Sequence, residues 1–515
     1  MAGCASQLDR SERHDKLNRM TFDTIVETAA GKLRGQNVNG IHVFRGIPYG
    51  ADTSGTRRFM APEKPLPWSG VRDALQFGPV APQPVMTDPN EYVRAVRWNE
   101  LPGVQGEDCL VLNVWSPGIA NTAKRAVMVS IHGGGFANGT SSNPGFDGDS
   151  LARFGDVVVV TMNHRLNCLG YLHLGDVHPQ FADSGVVGML DLVMALQWVH
   201  DTIGSFGGDP GNVTIMGQSG GAAKVCTLMA MPAATGLFHR AVVQSGVARR
   251  LPTREVATRA AEQVLASLGV GKRNIRSLQD MPFERLGCLN GEWGPCVDGG
   301  VIPRHPFDPD APRASAKVPM MIGTNLHDGA FVLPDPKMDE AALMAALKRL
   351  FPYAPDTINA SYRAADPHAS SFQLLARIVT DQTMRRSAMQ VAERKAALGQ
   401  APAFMYVITF PSSLSGGKWG SAHGLEVPLT FHNVNAWPIT GNGADAMAAA
   451  DVICGAWVAF AKDGKPSVAG RPSWPAYDTA TRATMLLDLK SDVENDPYGE
   501  LIALFKGEPE DFPRF

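Results

Sequence analysis

Gly217-Gln218-Ser219-Gly220-Gly221 fits the pattern Gly-x-Ser-x-Gly and follows the short apolar run Val213-Thr214-Ile215-Met216. A serine on a sharp strand-to-helix turn is held with its hydroxyl above the sheet edge, where it can attack a carbonyl carbon. Bulky side chains two residues before and two after the serine would clash in such a turn, which accounts for glycine at both places. His132-Gly133-Gly134-Gly135 follows a second apolar run, 126–131. The peptide N–H groups of Gly134 and Gly135, with that of Gly220, can receive the oxyanion that forms when a serine adds to a carbonyl. A hydroxyl is a poor nucleophile until a base takes its proton, so an acid and then a histidine are expected further along the chain. The chemistry implied is acyl transfer to water; a plain tight turn at 217–221 is the alternative.

Both glycine motifs need a rigid strand ahead of them. Four successive valines, Val157 to Val160, form the near-continuous apolar run of a strand buried on both faces of a parallel sheet. Ala241-Val242-Val243, Val318 to Ile322 and Phe404 to Ile408 are further core strands. Between Met189 and Ile203 the apolar positions recur with a helical period, predicting an amphipathic helix. Strands alternating with helices over this span indicate an α/β fold with a mostly parallel sheet. The regions 250–315 and 330–400 read as more helical, placed over the sheet as insertions.

A chain of 515 residues would divide into about three domains by length alone. No repeat or polar linker separates them, so one domain over 21–515 is expected, preceded by a mobile tail over 1–20. The formal charge of −3 offers no basic excess for a nucleic-acid partner. No stretch approaches the ~20 consecutive apolar residues of a membrane span. Seven cysteines are too few and too scattered for a disulfide framework. A polar start without an apolar segment makes a cytoplasmic protein the expectation, although Met1-Ala2-Gly3-Cys4 also fits the trimmed end of a lipoprotein signal. Neither metal-ligand spacing nor a dinucleotide fingerprint is present, so no cofactor is implied, and the oligomeric state is left open.

Other stretches stand in a telling order: Phe44 to Gly50, Glu107 to Val114, Ile131 to Phe136, Ala195 to Val199, Phe206 to Pro210, and Phe238 to Ala241 leading into Gln244-Ser245-Gly246. Together they resemble the type-B carboxylesterases, in the carboxylesterase/cholinesterase group of α/β-hydrolases, from about Val26 to Leu487. The resemblance implies a large, mostly parallel central sheet flanked by helices, with helical insertions over the active site. It also implies a cofactor-free serine hydrolase that cleaves small to medium carboxylic esters through an acyl-enzyme. An amidase or carbamate hydrolase with the same triad is the nearest alternative. A cholinesterase-like binding protein that has lost its nucleophile is another, against which Ser219 and His423 both speak.

The resemblance places the acid at Asp328, where relatives usually carry glutamate, and the base at His423 within Gly420 to Pro428. Ser245 and Glu426 then resemble a polar layer beneath the histidine, and Arg45–Glu107 and Arg165–Asp191 resemble bracing ion pairs. His327 reads as a solvent-side loop residue, His239 and His432 as packing or surface polarity. Trp98 resembles a gorge-lining aromatic that contacts substrate, with plain loop packing as the alternative. Lys224 reads as a solvated lysine without a role. Three departures stand out. Ala81 occupies the place of a cysteine and leaves Cys109 single; Gly220 replaces an alanine, which should loosen the elbow; Gln218 replaces a glutamate and removes a negative charge.

Overall fold

The computed structural model describes residues 21–508 apart from 120–121, 335, 442 and 468–469. The expected tail over 1–20 lies outside the described residues. Strands β1 (Thr21–Thr28), β2 (Gly31–Val38) and β3 (Ile41–Pro48) form an antiparallel meander, and β4 (Val71–Asp73) pairs with β2. β5 (Val111–Ser116) links this meander to a parallel block. The block comprises β6 (Arg125–Ile131), β7 (Val158–Met162), β8 (Gly208–Gln218), β9 (Arg240–Gln244), β10 (Met320–Asn325), β11 (Ala403–Ile408) and β12 (Ala483–Leu487). β13 (Asp492–Asn495) closes the far edge antiparallel to β12. The order across the sheet is β1-β2-β3-β5-β7-β6-β8-β9-β10-β11-β12-β13. This is the α/β-hydrolase architecture that the sequence leads one to expect.

Val157 to Val160 are fully buried because helices cover both faces of the sheet. Val127, Val129 and Ile131 point to one side, where they pack with Met189, Leu192, Leu196 and Val199 of the helix Val187–Thr202. Met128, Val157 and Val159 point to the other, against Trp457 and its neighbours on the helix Ala444–Asp463. The stretch 179–206 and the helix Ala444–Asp463 are long and apolar enough to cross a membrane by length and composition, yet most of each apolar window is buried inside the protein. The expected strand 318–322 begins at Met320 instead, since Pro319 has no N–H to add to the ladder. Helices Arg254–Leu268, Glu340–Leu350, Pro355–Ala365 and Ser371–Thr380 fill the two regions read as insertions.

The strand order reverses beside β6: β7 lies to one side of it and β8 to the other. Chain segments leaving the carboxyl ends of β6 and β8 therefore open a crevice between them, the usual place for a ligand in an open α/β sheet. Ile131 at the end of β6 is paired with Gly217 in β8, so the two glycine motifs leave the sheet side by side.

Candidate active site

Ser219 stands between β8 and the helix Gly220–Ala230 with φ 58 and ψ −125, a backbone conformation that a non-glycine residue rarely adopts. The surrounding packing holds it there. A Cβ on Gly217 would lie 2.3 Å from the carbonyl carbon of Gly221, and one on Gly221 would lie 2.1 Å from the Ile131 oxygen. The Ser219 N–H donates to the Gln244 carbonyl at 2.8 Å, tying the turn to β9. The serine itself is half-buried.

The segments after β10 and β11 bring the next two residues together. His423 Nδ1 lies 2.8 Å from Asp328 Oδ1, and both side chains are fully buried. The other carboxylate oxygen accepts the Asn325 N–H at 2.8 Å. Phe331 stacks on the His423 ring at 4.5 Å, Trp98 meets its edge at 5.9 Å, and Tyr92 donates to its carbonyl oxygen. Two aromatic rings thus flank the imidazole, and Tyr92 fixes the backbone that carries it. Its Nε2 lies 3.2 Å from the amide nitrogen of Gln218, the residue next to Ser219 in the chain.

Glu426 lies beneath this pair but contacts neither member of it directly. It accepts a hydrogen bond from the Asn325 side chain, which also donates to the Ala422 carbonyl at 2.7 Å. Burial and the neighbouring Asp328 carboxylate push the Glu426 carboxyl above the usual range. The Ser245 hydroxyl is close enough to favour the charged form of Glu426, though without a well-formed hydrogen bond.

Gly134 (φ 90) and Gly135 (φ 63) reverse the chain after β6 in the left-handed region that favours glycine. The Gly134 carbonyl accepts from the Ala137 and Asn138 N–H groups, while the N–H groups of Gly134 and Gly135 have no acceptor among the described residues. A small cavity of about 40 Å³ opens beside Gly134, walled also by Trp98, Asn138, Phe146, Gln218 and Trp437 among others. The segments that carry two free donors, a serine on a strained turn and a carboxylate-bound imidazole all follow the carboxyl ends of sheet strands, and Gly134 and Gln218 from them line the cavity. That arrangement suits addition of an oxygen nucleophile to a carbonyl.

Residues 23–504 match the profile of the carboxylesterase family. The para-nitrobenzyl esterase of Bacillus subtilis is 35% identical over 504 residues, covering 92% of this chain and 97% of its own. The chain belongs to the carboxylesterase family. The phenmedipham hydrolase of Pseudarthrobacter oxydans is 33% identical, again over 92% of this chain and 97% of that protein. Among solved structures, a Geobacillus stearothermophilus carboxylesterase superposes with a TM-score of 0.79 at 36% identity, covering 94% of this chain and 100% of the other. An esterase from Clostridium hathewayi, described as hydrolysing aliphatic aromatic polyesters, gives 0.79 at 31% identity over 95% and 100% of the two chains. The chain is a carboxylic ester hydrolase.

Several expectations need correction in this carboxylesterase. Glu107 pairs with Arg58 rather than Arg45, through two contacts of 2.7 and 2.6 Å. Arg45 sits where β3 bulges out of register between Phe44 and Ile47, and it reaches Asp147 at 3.7 Å instead. Arg165 and Asp191 do form the expected buried pair, at 2.6 Å. His327 is buried, not solvent-side: its ring accepts the Ser421 N–H at 3.1 Å, and burial lowers its pKa to about 3. Lys224 is fully buried, not solvated. Trp98 stands at the cavity wall beside His423, while Phe331, Trp437 and Asn138 went unnoticed because nothing local in their sequence marks them.

Proposed function

We propose that Ser219, His423 and Asp328 form the catalytic triad of this ester hydrolase, with the N–H groups of Gly134, Gly135 and Gly220 as its oxyanion hole. The observation that carries the reading is the 2.8 Å contact between His423 Nδ1 and Asp328 Oδ1, buried beside a strained Ser219 turn. Asp328 accepts the Nδ1–H and so leaves Nε2, which meets the Gln218 amide nitrogen at 3.2 Å, as the unprotonated base. As the Ser219 oxygen adds to the ester carbonyl, its proton passes to Nε2 and negative charge gathers on the carbonyl oxygen against the peptide N–H groups. The imidazolium then returns the proton to the departing alcohol. A water, deprotonated by the same nitrogen, attacks the acyl-enzyme, and collapse of the second tetrahedral intermediate frees the acid and restores Ser219. Small to medium carboxylic esters are the substrate class, as the family resemblance implies.

Ser219→Ala is expected to lower kcat for a nitrophenyl ester by ~10⁴ to 10⁶, because triad members act as a unit. A fluorophosphonate should leave one adduct, on the Ser219 peptide. Labelling elsewhere, or full activity in the alanine variant, refutes the assignment. Amide or carbamate hydrolysis is the second reading: the same groups serve either bond, and one relative is named a phenmedipham hydrolase. Turnover of a matched ester and anilide separates the two. A reducing, cytoplasmic setting suits the free thiols at the six described cysteines, Cys109 among them.

A further inference from the structure

Lys224 lies on the second turn of the helix Gly220–Ala230 and exposes none of its surface. Its ammonium donates to the Gly135 carbonyl at 2.7 Å and to the His132 carbonyl at 3.2 Å, and it lies 5.2 Å from the Phe136 ring centre. Every one of these partners belongs to the loop that carries Gly134 and Gly135. No carboxylate pairs with Lys224 among the described residues. The titratable groups that face it are His132 and His164, whose rings stack 4.8 Å apart. Both are held neutral, because burial drives each pKa down, that of His132 to about 3. An ammonium withdrawn from water without an anion is costly, and burial alone pulls the Lys224 pKa down to about 7. A methionine would fill the same space without that cost. The charge therefore needs a reason, and an anion that forms only during the reaction supplies one.

Gly220 gives an independent sign that this loop is held unusually close. A Cβ there would lie 2.2 Å from the Gly135 oxygen and 2.4 Å from its nitrogen. The alanine that the family resemblance leads one to expect at 220 has no room while the loop is in this position. Glycine thus admits the loop rather than loosening the turn, and the oxygen that crowds it is the one Lys224 holds.

We propose that Lys224 is a positioning residue of the oxyanion hole: it staples the 132–136 loop to the helix behind Ser219 and places a buried cation behind the negative charge of the tetrahedral intermediate. This rests on the reading of Ser219 and the two loop glycines given above. A fixed cation buried behind the site favours the oxyanion over the neutral ester, so its effect falls on kcat rather than on substrate binding.

The test is Lys224→Met. The expected loss in kcat is about 10- to 100-fold, short of the 10²–10³ for a direct donor, with KM within about twofold. Affinity for an aryl trifluoromethyl ketone, whose serine adduct carries the same oxyanion, should fall by the same factor. The wild-type enzyme should lose kcat/KM as pH rises and Lys224 deprotonates, and the methionine variant should lack that alkaline limb. If Lys224→Met does not fold, Lys224→Gln, which keeps an N–H donor without the charge, decides by the same readouts. An unchanged kcat and ketone affinity overturns the proposal, as does a loss confined to melting temperature and KM. Stoichiometric fluorophosphonate labelling of Ser219 in both proteins keeps that result separate from a failure of the triad reading.

Discussion

Asp328→Asn isolates the contact on which the proposed triad depends. Both oxygens of Asp328 are committed, one to His423 Nδ1 and one to the backbone N–H of Asn325. An asparagine offers one oxygen and one NH₂ in the same space. The Asn325 N–H can only donate, so the amide oxygen turns towards it and the NH₂ faces Nδ1. The imidazole is then held with its proton on Nε2, where it cannot accept one from Ser219. The productive orientation sets two donors against each other in a buried site, at ~1–3 kcal/mol, which is ~10- to 100-fold in population. Loss of the negative charge that steadies the imidazolium adds a further factor, so a total near 10³ to 10⁴ in kcat is expected, as in other Ser-His-Asp sites. KM should stay within about threefold, since the pocket keeps its shape. Steady-state hydrolysis of a nitrophenyl ester measures both constants. Glu426→Gln is the companion variant: Glu426 meets Asn325 rather than the histidine, so it should lose no more than about tenfold. Normal turnover in Asp328→Asn beside a dead Glu426→Gln would refute the reasoning and make Glu426 the acid.

Gln218 sets no negative charge beside His423, so the wild-type enzyme should barely distinguish a choline ester from its 3,3-dimethylbutyl isostere. Gln218→Glu should favour the cation and move the acidic limb of the pH–rate profile upward, and a wild-type preference above about tenfold (~1.4 kcal/mol) would reveal another cation site. His132 and His327 are buried with pKa values near 3 against an ordinary 6.5, so the unfolded chain binds more protons than the folded one. Stability should therefore fall as pH drops from about 6.5 towards 3, and His327→Gln should flatten that fall in melting temperature.

The central sheet was legible because its strands advertise themselves. Valine runs without polar interruption fit only a strand covered on both sides, and each motif with chemical content comes directly after one. The expectation that Asp328 and His423 act together came only from family resemblance, since no local spacing links residues 95 positions apart; the structure puts them in contact. The failures share one cause. Glu107 was assigned Arg45 by resemblance, but a bulge in β3 and a distant short helix decide its partner: Arg58 also donates to the Leu278 and Met281 carbonyls. His327 and Lys224 are polar residues in glycine-rich or helical surroundings that look exposed until the covering segments are in place. Burial of a polar side chain is decided by long-range packing, and periodicity reads only the apolar part of that packing.

Two of the departures from the family pattern, Gln218 and Gly220, acquire a common physical sense once Lys224 is seen to be buried. Gln218 and Lys224 both bear on the loop after β6: the first through Gly133, whose Cβ would stand 3.3 Å from the glutamine Oε1, the second through the His132 carbonyl. A glutamate at 218 would put a permanent anion beside that loop, opposite in sign to the buried lysine, and at low local dielectric the two would attract and cancel. With glutamine there, the lysine charge is left for the transient oxyanion. Gly220 removes the methyl group that would hold the loop away from both. Each substitution alone looks like drift; together they exchange an anion near the base for a cation near the oxyanion. The same exchange is expected to weaken attraction for cationic substrates, which the choline and 3,3-dimethylbutyl ester comparison measures.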